Sequence, residues 1–158
     1  MSSHLSSSGE ARMVDVGAKE ITARRAVAAG SVRARRETLL RLTRNETPKG
    51  EVLATARVAG IMAAKRTHEL IPLCHPLPLT KVAVLLDVDV ANQRVNVTAI
   101  AETVARTGVE MEALTAVTVA CLTIYDMLKG IDREMVVSEV RLLEKSGGRT
   151  GPWRREEP

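Results

Sequence analysis

Two consecutive runs, KVAVLLDVDV at 81–90 and RVNVTAIAETV at 94–104, alternate with period two and are separated only by ANQ. Alternation places Val82, Val84, Leu86, Val88 and Val90 on one face of the first run, and Val95, Val97, Ala99 and Ala101 on one face of the second. Strands joined by so short a link pair as an antiparallel hairpin. A hairpin with one apolar face must bury it against other elements, so the rest of the chain has to supply strands and a cover.

Candidates for both are present. In ITARRAVAAGSVRA, Ile21, Ala23, Arg25 and Val27 alternate with Thr22, Arg24, Ala26 and Ala28, and EMVVSEVRLLEKSGG reads as a last strand. RRETLLRLTRN reads as a short helix. TPKGEVLATARVAGIMAAKRTHEL predicts a long one, with Thr47 as N-cap, Pro48 at the first helical position and an end at Leu70 before Pro72. That is roughly 23 residues, or about 34 Å. Its Ala54, Ala56, Ala59, Gly60, Ala63 and Ala64 are small enough for another backbone to approach closely. GVEMEALTAVTVACLTIYDMLKGID predicts a second long helix, starting after Thr107 and ending near Gly130. The order strand, helix, strand, strand, helix, strand points to an α+β fold of the ferredoxin-like type, an antiparallel sheet with helices packed on one face.

At 158 residues and 45% hydrophobic content, the chain suits one domain, placed at 13–148. The Ser-rich residues 1–12 read as a disordered tail and residues 149–158 as a mobile one. No apolar run of about 18 residues appears and the first residues lack a signal-peptide pattern, so a cytoplasmic protein without a membrane partner is expected. Cys74 and Cys121 are too few for a disulfide framework.

Charge is uneven. Residues 1–66 carry 13 Lys and Arg against 6 Asp and Glu, net +7; residues 67–158 carry 10 against 13, net −3, giving +4 together. A basic half favours an anionic ligand, with a plain solvated surface as the bland explanation. Nucleic acid is disfavoured, because Tyr125 and Trp153 are the only aromatic residues of this kind and no Phe is present to stack bases. A small phosphorylated molecule fits better.

Asp126 and Lys129 lie three apart on a helix face, as a proton-transfer pair or an ion pair. Glu110 and Glu112 occupy the first turn, where the helix dipole favours carboxylates for structural reasons alone. Glu112 and Asp126 are 14 residues apart, which separates them by about 21 Å along the axis at similar azimuth. A small substrate would not touch both, so functional ends would mean two sites or one built by two protomers. The alanine-rich first helix independently favours an oligomer.

The connector ELIPLCHPLPLT has prolines at 72, 76 and 78 around Cys74 and His75. Zinc would need His68, Cys74 and His75, with Glu69 as a further ligand, but no CxxC or HxxxH spacing occurs. A Cys-His dyad is disfavoured because consecutive extended residues point opposite ways. His75 as an acid/base or phosphate-contacting residue on a rigid loop and a plain connector both stay open. Lys49 in TPKGE falls at the predicted helix N-terminus, a natural anion site. EKSGGRTG departs from the Walker pattern but can present Lys145 from a flap.

The segments MVDVGAKEITARRAVA, KGEVLATARVAGIMAAKRTHELIPLCHPLPLT, RTGVEMEALTAVTVACLTIYDMLKGID and VRLLEKSGG closely resemble the molybdenum cofactor biosynthesis protein C family, from about Met13 to Gly148. The resemblance implies a ferredoxin-like subunit in a homo-hexamer, a trimer of dimers with sites at the dimer interface. It also implies a lyase that converts 3′,8-cyclo-7,8-dihydro-GTP to cyclic pyranopterin monophosphate with release of pyrophosphate. Such a reaction needs acid/base groups and cations for the triphosphate. Carried onto this chain, Lys49, Asp126 and Lys129 are catalytic and Arg24, His75, Glu110, Met111 and Glu112 bind substrate, with Glu110 to Glu112 at its guanine-derived end; the EKSGGRTG reading adds Lys145 to the substrate-binding set. No cofactor is required, and Mg²⁺ can accompany the triphosphate. The alternatives are a nucleotide-binding regulatory module without chemistry, and a basic nucleic-acid binder.

Overall fold

The computed structural model describes residues 9–156. Its elements run β1 (Thr22–Arg33), α1 (Arg36–Thr43), α2 (Val52–Lys65), α3 (Thr67–Leu70), β2 (Leu79–Asp89), β3 (Arg94–Ala105), α4 (Glu110–Leu128), β4 (Val136–Ser146) and β5 (Trp153–Arg154). The strands form one sheet in the order β2-β3-β1-β4-β5, with every neighbouring pair antiparallel. This is the α+β, ferredoxin-like arrangement expected from the element order, with α2 and α4 against the sheet.

The β2–β3 hairpin follows the alternation. Val82, Val84, Leu86 and Val88 pair with Ala101, Ala99, Val97 and Val95, so the two apolar faces coincide. Ala26, Ala28 and Val32 of β1 continue that face beneath the helices. α4 buries Ala113, Ala116, Val117, Ala120, Cys121, Ile124 and Leu128 at helical spacing. Its length and apolarity would suffice to cross a membrane, yet half of its most apolar stretch is buried within this fold. α2 lies directly on it: a Cβ at Gly60 would stand 2.9 Å from the Ala116 carbonyl oxygen and 3.3 Å from the Ala120 Cβ. The small-residue stripe thus lets two helix backbones meet.

The long first helix needs correction. Thr47 is not its N-cap: residues 47–50 form a turn in which the Thr47 hydroxyl donates to the Gly50 carbonyl at 2.6 Å. Gly50 has φ +78°, a left-handed conformation that suits glycine and cannot continue a helix. Lys49 therefore sits in a turn before α2. The helix also breaks at Arg66, leaving 14 residues in α2 and 4 in α3. α2 is accordingly only about 21 Å long.

α1 has no side-chain cap of its own. Asp132, in the turn after α4, serves instead: its Oδ2 accepts the Arg35 N–H at 2.9 Å and the Thr38 hydroxyl at 3.0 Å. Burial would raise this carboxyl's pKa, but those bonds, the Glu134 N–H and the Arg35 guanidinium outweigh it and lower the pKa. Residues 153–154 add a strand to β4 that no periodicity signalled. Of the two tails read from the sequence, residues 1–8 and 157–158 lie outside the described residues.

Candidate active site

Two adjoining cavities open beside the N-terminal end of α4. The larger, of about 570 Å³, is lined by residues including Lys19, Arg24, Arg106, Glu110, Lys145 and Arg149. The smaller, of about 240 Å³, is lined by residues including Cys74, His75, Glu110, Met111 and Glu112. Lys19, Thr107, Gly108 and Glu110 border both. All six residues expected to bind substrate therefore meet here, although they come from β1, the proline connector, α4 and β4.

Each is delivered by a different local rule. Arg24 lies near the start of β1 and Lys145 near the end of β4, which run antiparallel and bring the two together. Glu110 to Glu112 form the first turn of α4. The proline connector is pinned where it joins β2, the Thr103 hydroxyl of β3 donating to the Pro78 carbonyl at 2.7 Å. Cys74 and His75 line the same small cavity, despite their adjacency in the chain. Lys19, Arg106 and Arg149 were not anticipated. Each adjoins or lies within a segment quoted for the resemblance, and no periodicity marked it.

The electrostatics of this end are set by burial. Glu112 is only 4% exposed, and burial, reinforced by the Glu110 carboxylate, pushes its pKa up to about 7. Burial and then Glu112 also raise the Cys74 thiol, which disfavours a thiolate nucleophile. Arg24 donates from Nη2 to the Arg106 carbonyl at 3.3 Å, while its buried Nε has no acceptor among the described residues. Lys145 Nζ stands 3.7 Å from Glu110 Oε1.

A second cluster occupies the other end of α4. Asp126 receives Lys129 Nζ on Oδ1 at 2.8 Å and Lys49 Nζ on Oδ2 at 2.8 Å. Lys49 also donates to the Asp126 carbonyl at 3.1 Å. The hydrogen bond from Lys129, followed by that from Lys49, lowers the Asp126 pKa to about 2 and in return raises that of Lys129. One carboxylate faces two ammonium groups, so the cluster keeps a net positive charge and is open to solvent. The three residues expected to be catalytic are thus together.

α4 is unbroken from Glu110 to Leu128, so the two clusters on one protomer are held about 20 Å apart. Among the described residues, no group of three or more His, Cys, Asp and Glu side chains gathers around a metal-sized site.

A sequence model of the MoaC family matches residues 13–148. A cyclic pyranopterin monophosphate synthase of Roseiflexus sp. (strain RS-1) is 65% identical over 150 residues, 95% of each chain. The enzyme of that name from Thermomicrobium roseum is 60% identical over 98% of this chain and 93% of its own, and that from Brucella ovis 55% identical over 98% and 94%. With all nine expected site residues inside the matched span and an antiparallel α+β sheet around them, the chain belongs to the MoaC family.

Proposed function

We propose that the protein is a lyase of molybdenum cofactor biosynthesis that converts 3′,8-cyclo-7,8-dihydro-GTP to cyclic pyranopterin monophosphate with release of pyrophosphate. The site is composite, formed where the cavity end of one protomer meets the Lys49–Asp126–Lys129 end of another in a hexamer of three dimers. The observation that carries this is the separation of the two clusters: each supplies half of the required chemistry, and one α4 holds them too far apart for one small molecule.

Each half has a role. Asp126 stays ionised and orients both ammonium groups, whose surplus positive charge stabilises phosphate oxygens as the cyclic phosphate closes. Lys129 and Lys49 donate protons there. Glu110 and Glu112 hold the guanine-derived end through its N–H groups, and Glu112, titrating near neutrality, can carry a proton during ring opening. Arg24, His75 and Lys145 position the anionic substrate, with Mg²⁺ arriving as part of the triphosphate. The reaction takes place in the cytoplasm.

Incubation with the cyclised GTP should yield pyranopterin and pyrophosphate; binding without product would instead favour a regulatory module. Complementation tests the shared site. After subunit exchange, Glu112→Ala mixed with Lys129→Ala should recover about a quarter of wild-type activity, as random pairing in a two-fold dimer predicts. Lys49→Ala mixed with Lys129→Ala should recover none, because both residues belong to the same half. No recovery from the first mixture despite confirmed exchange would rule out a composite site.

A further inference from the structure

Residues 149–156 lie beyond the family match, which ends at Gly148, yet Arg149 and Thr150 among them line the larger cavity. After β4 the chain reverses. Gly147 and Gly148 take φ of +91° and +77°, and a Cβ on either would strike the Ala23 carbonyl or the Arg24 guanidinium. The Gly151 N–H then donates to the Gly148 carbonyl at 3.2 Å. The returning strand is anchored by pairing of Trp153 and Arg154 with Lys145 and Glu144. Arg155 reinforces it, donating from its backbone N–H to the Leu143 carbonyl and from Nε to the Leu142 carbonyl, both at 2.8 Å. Its guanidinium also lies 5.7 Å from the Trp153 ring centroid.

The tip of this hairpin bears Arg149 and Thr150, both lining the cavity. The Thr150 hydroxyl accepts a hydrogen bond from Lys145 Nζ at 2.7 Å. Glu110 Oε1, at 3.7 Å, is beyond ordinary hydrogen-bond reach of the same ammonium group. The ammonium group still lies within ion-pair distance of Glu110, so the hydroxyl fixes where in the cavity the charge sits, not whether it is paired.

We infer that Thr150 is a positioning residue for Lys145, fixing where its ammonium group meets the anionic substrate, and that the C-terminal hairpin presents it. This rests on the assignment of the cavity to substrate. Removing the hydroxyl without changing side-chain shape should free the ammonium group to shift from its 3.7 Å separation toward closer contact with Glu110. In the full-length protein with the cyclised GTP as substrate, Thr150→Val should raise KM roughly fivefold while kcat changes less than about twofold. Thr150→Ser should restore the wild-type KM. Lys145→Met should raise KM at least as much, and adding Thr150→Val to it should do nothing further, since the hydroxyl acts through the amine. An unchanged KM in Thr150→Val beside a raised one in Lys145→Met overturns the inference and leaves the cavity assignment standing; so does a Ser variant no better than Val. An unchanged KM in Lys145→Met overturns both.

Discussion

The two ends of α4 hold carboxylates in opposite chemical states. Glu112, in the first turn, is buried and titrates near 7; Asp126, near the last turn, is exposed between two ammonium groups and titrates near 2. The helix dipole alone would order them the other way, favouring a charged carboxylate at the N-terminus and disfavouring one at the C-terminus. Dipole effects at exposed positions are worth about 0.3–1 kcal/mol, so desolvation at one end and direct ion pairing at the other override them. Position along a helix is therefore a poor guide to a carboxylate's state beside what surrounds it. The contrast leaves one end with a carboxyl that titrates near neutral pH and the other with a surplus of positive charge.

The sharpest way to break this contrast is to remove the charge at the exposed end. Lys129→Ala should lower kcat roughly a hundred- to ten-thousandfold, the range for losing a positioned proton donor, while leaving the fold intact by circular dichroism. A variant with wild-type turnover would show that the exposed end carries no chemistry.

The buried end should reveal itself in stability. Glu112 has a folded-state pKa above its unfolded value of 4.5, so the folded protein holds that proton between about pH 4.5 and 7 and loses stability as pH rises through this window. Glu112→Gln abolishes the loss. It should be more stable than wild type at pH 8, by on the order of 3 kcal/mol, with the advantage fading below about pH 4.5 in denaturant titrations. A difference independent of pH would mean that Glu112 is not held protonated by burial.

Asp126 should behave oppositely and more weakly. Its pKa is depressed, so any stabilisation is present above the ordinary carboxylate range and is lost as pH falls toward 2. Because this pair is solvent-exposed, Asp126→Asn should barely move the denaturation midpoint at neutral pH, even as it impairs turnover by freeing both lysines. A large loss of stability would place Asp126 among the structural residues.

Much of the fold was legible because neighbouring residues decide it. The alternation in β2 and β3 specifies which side chains face inward, and the observed register pairs those faces. The reading failed where a competing local interaction was equally compatible with the sequence. Thr-Pro-Lys-Gly reads as a helix start or as a turn; the left-handed Gly50 and the Thr47 hydroxyl bond make it a turn. The break at Arg66 carries neither Gly nor Pro to announce it. There Arg66 leaves helical geometry at φ −112° and ψ 13°, and the Thr67 hydroxyl donates to the Ala64 carbonyl at 3.0 Å. At the candidate site, residue chemistry and family resemblance together singled out nine residues, but Lys19, Arg106, Arg149 and Thr150 emerged only when strand ends and loops closed around a common space.

The sequence by itself determined the order of the four long strands and the two long helices, the pairing of Asp126 with Lys129, and the distance between the two ends of α4. These follow from the strand and helix repeats, which act between residues close in the chain. Only the tertiary structure decided that Lys49 reaches Asp126 across 77 residues, that side chains from four separate segments share two adjoining cavities, and that Glu112 is shielded enough to hold a proton near neutrality. Those outcomes depend on which surfaces pack together and exclude water, and no local spacing encodes that.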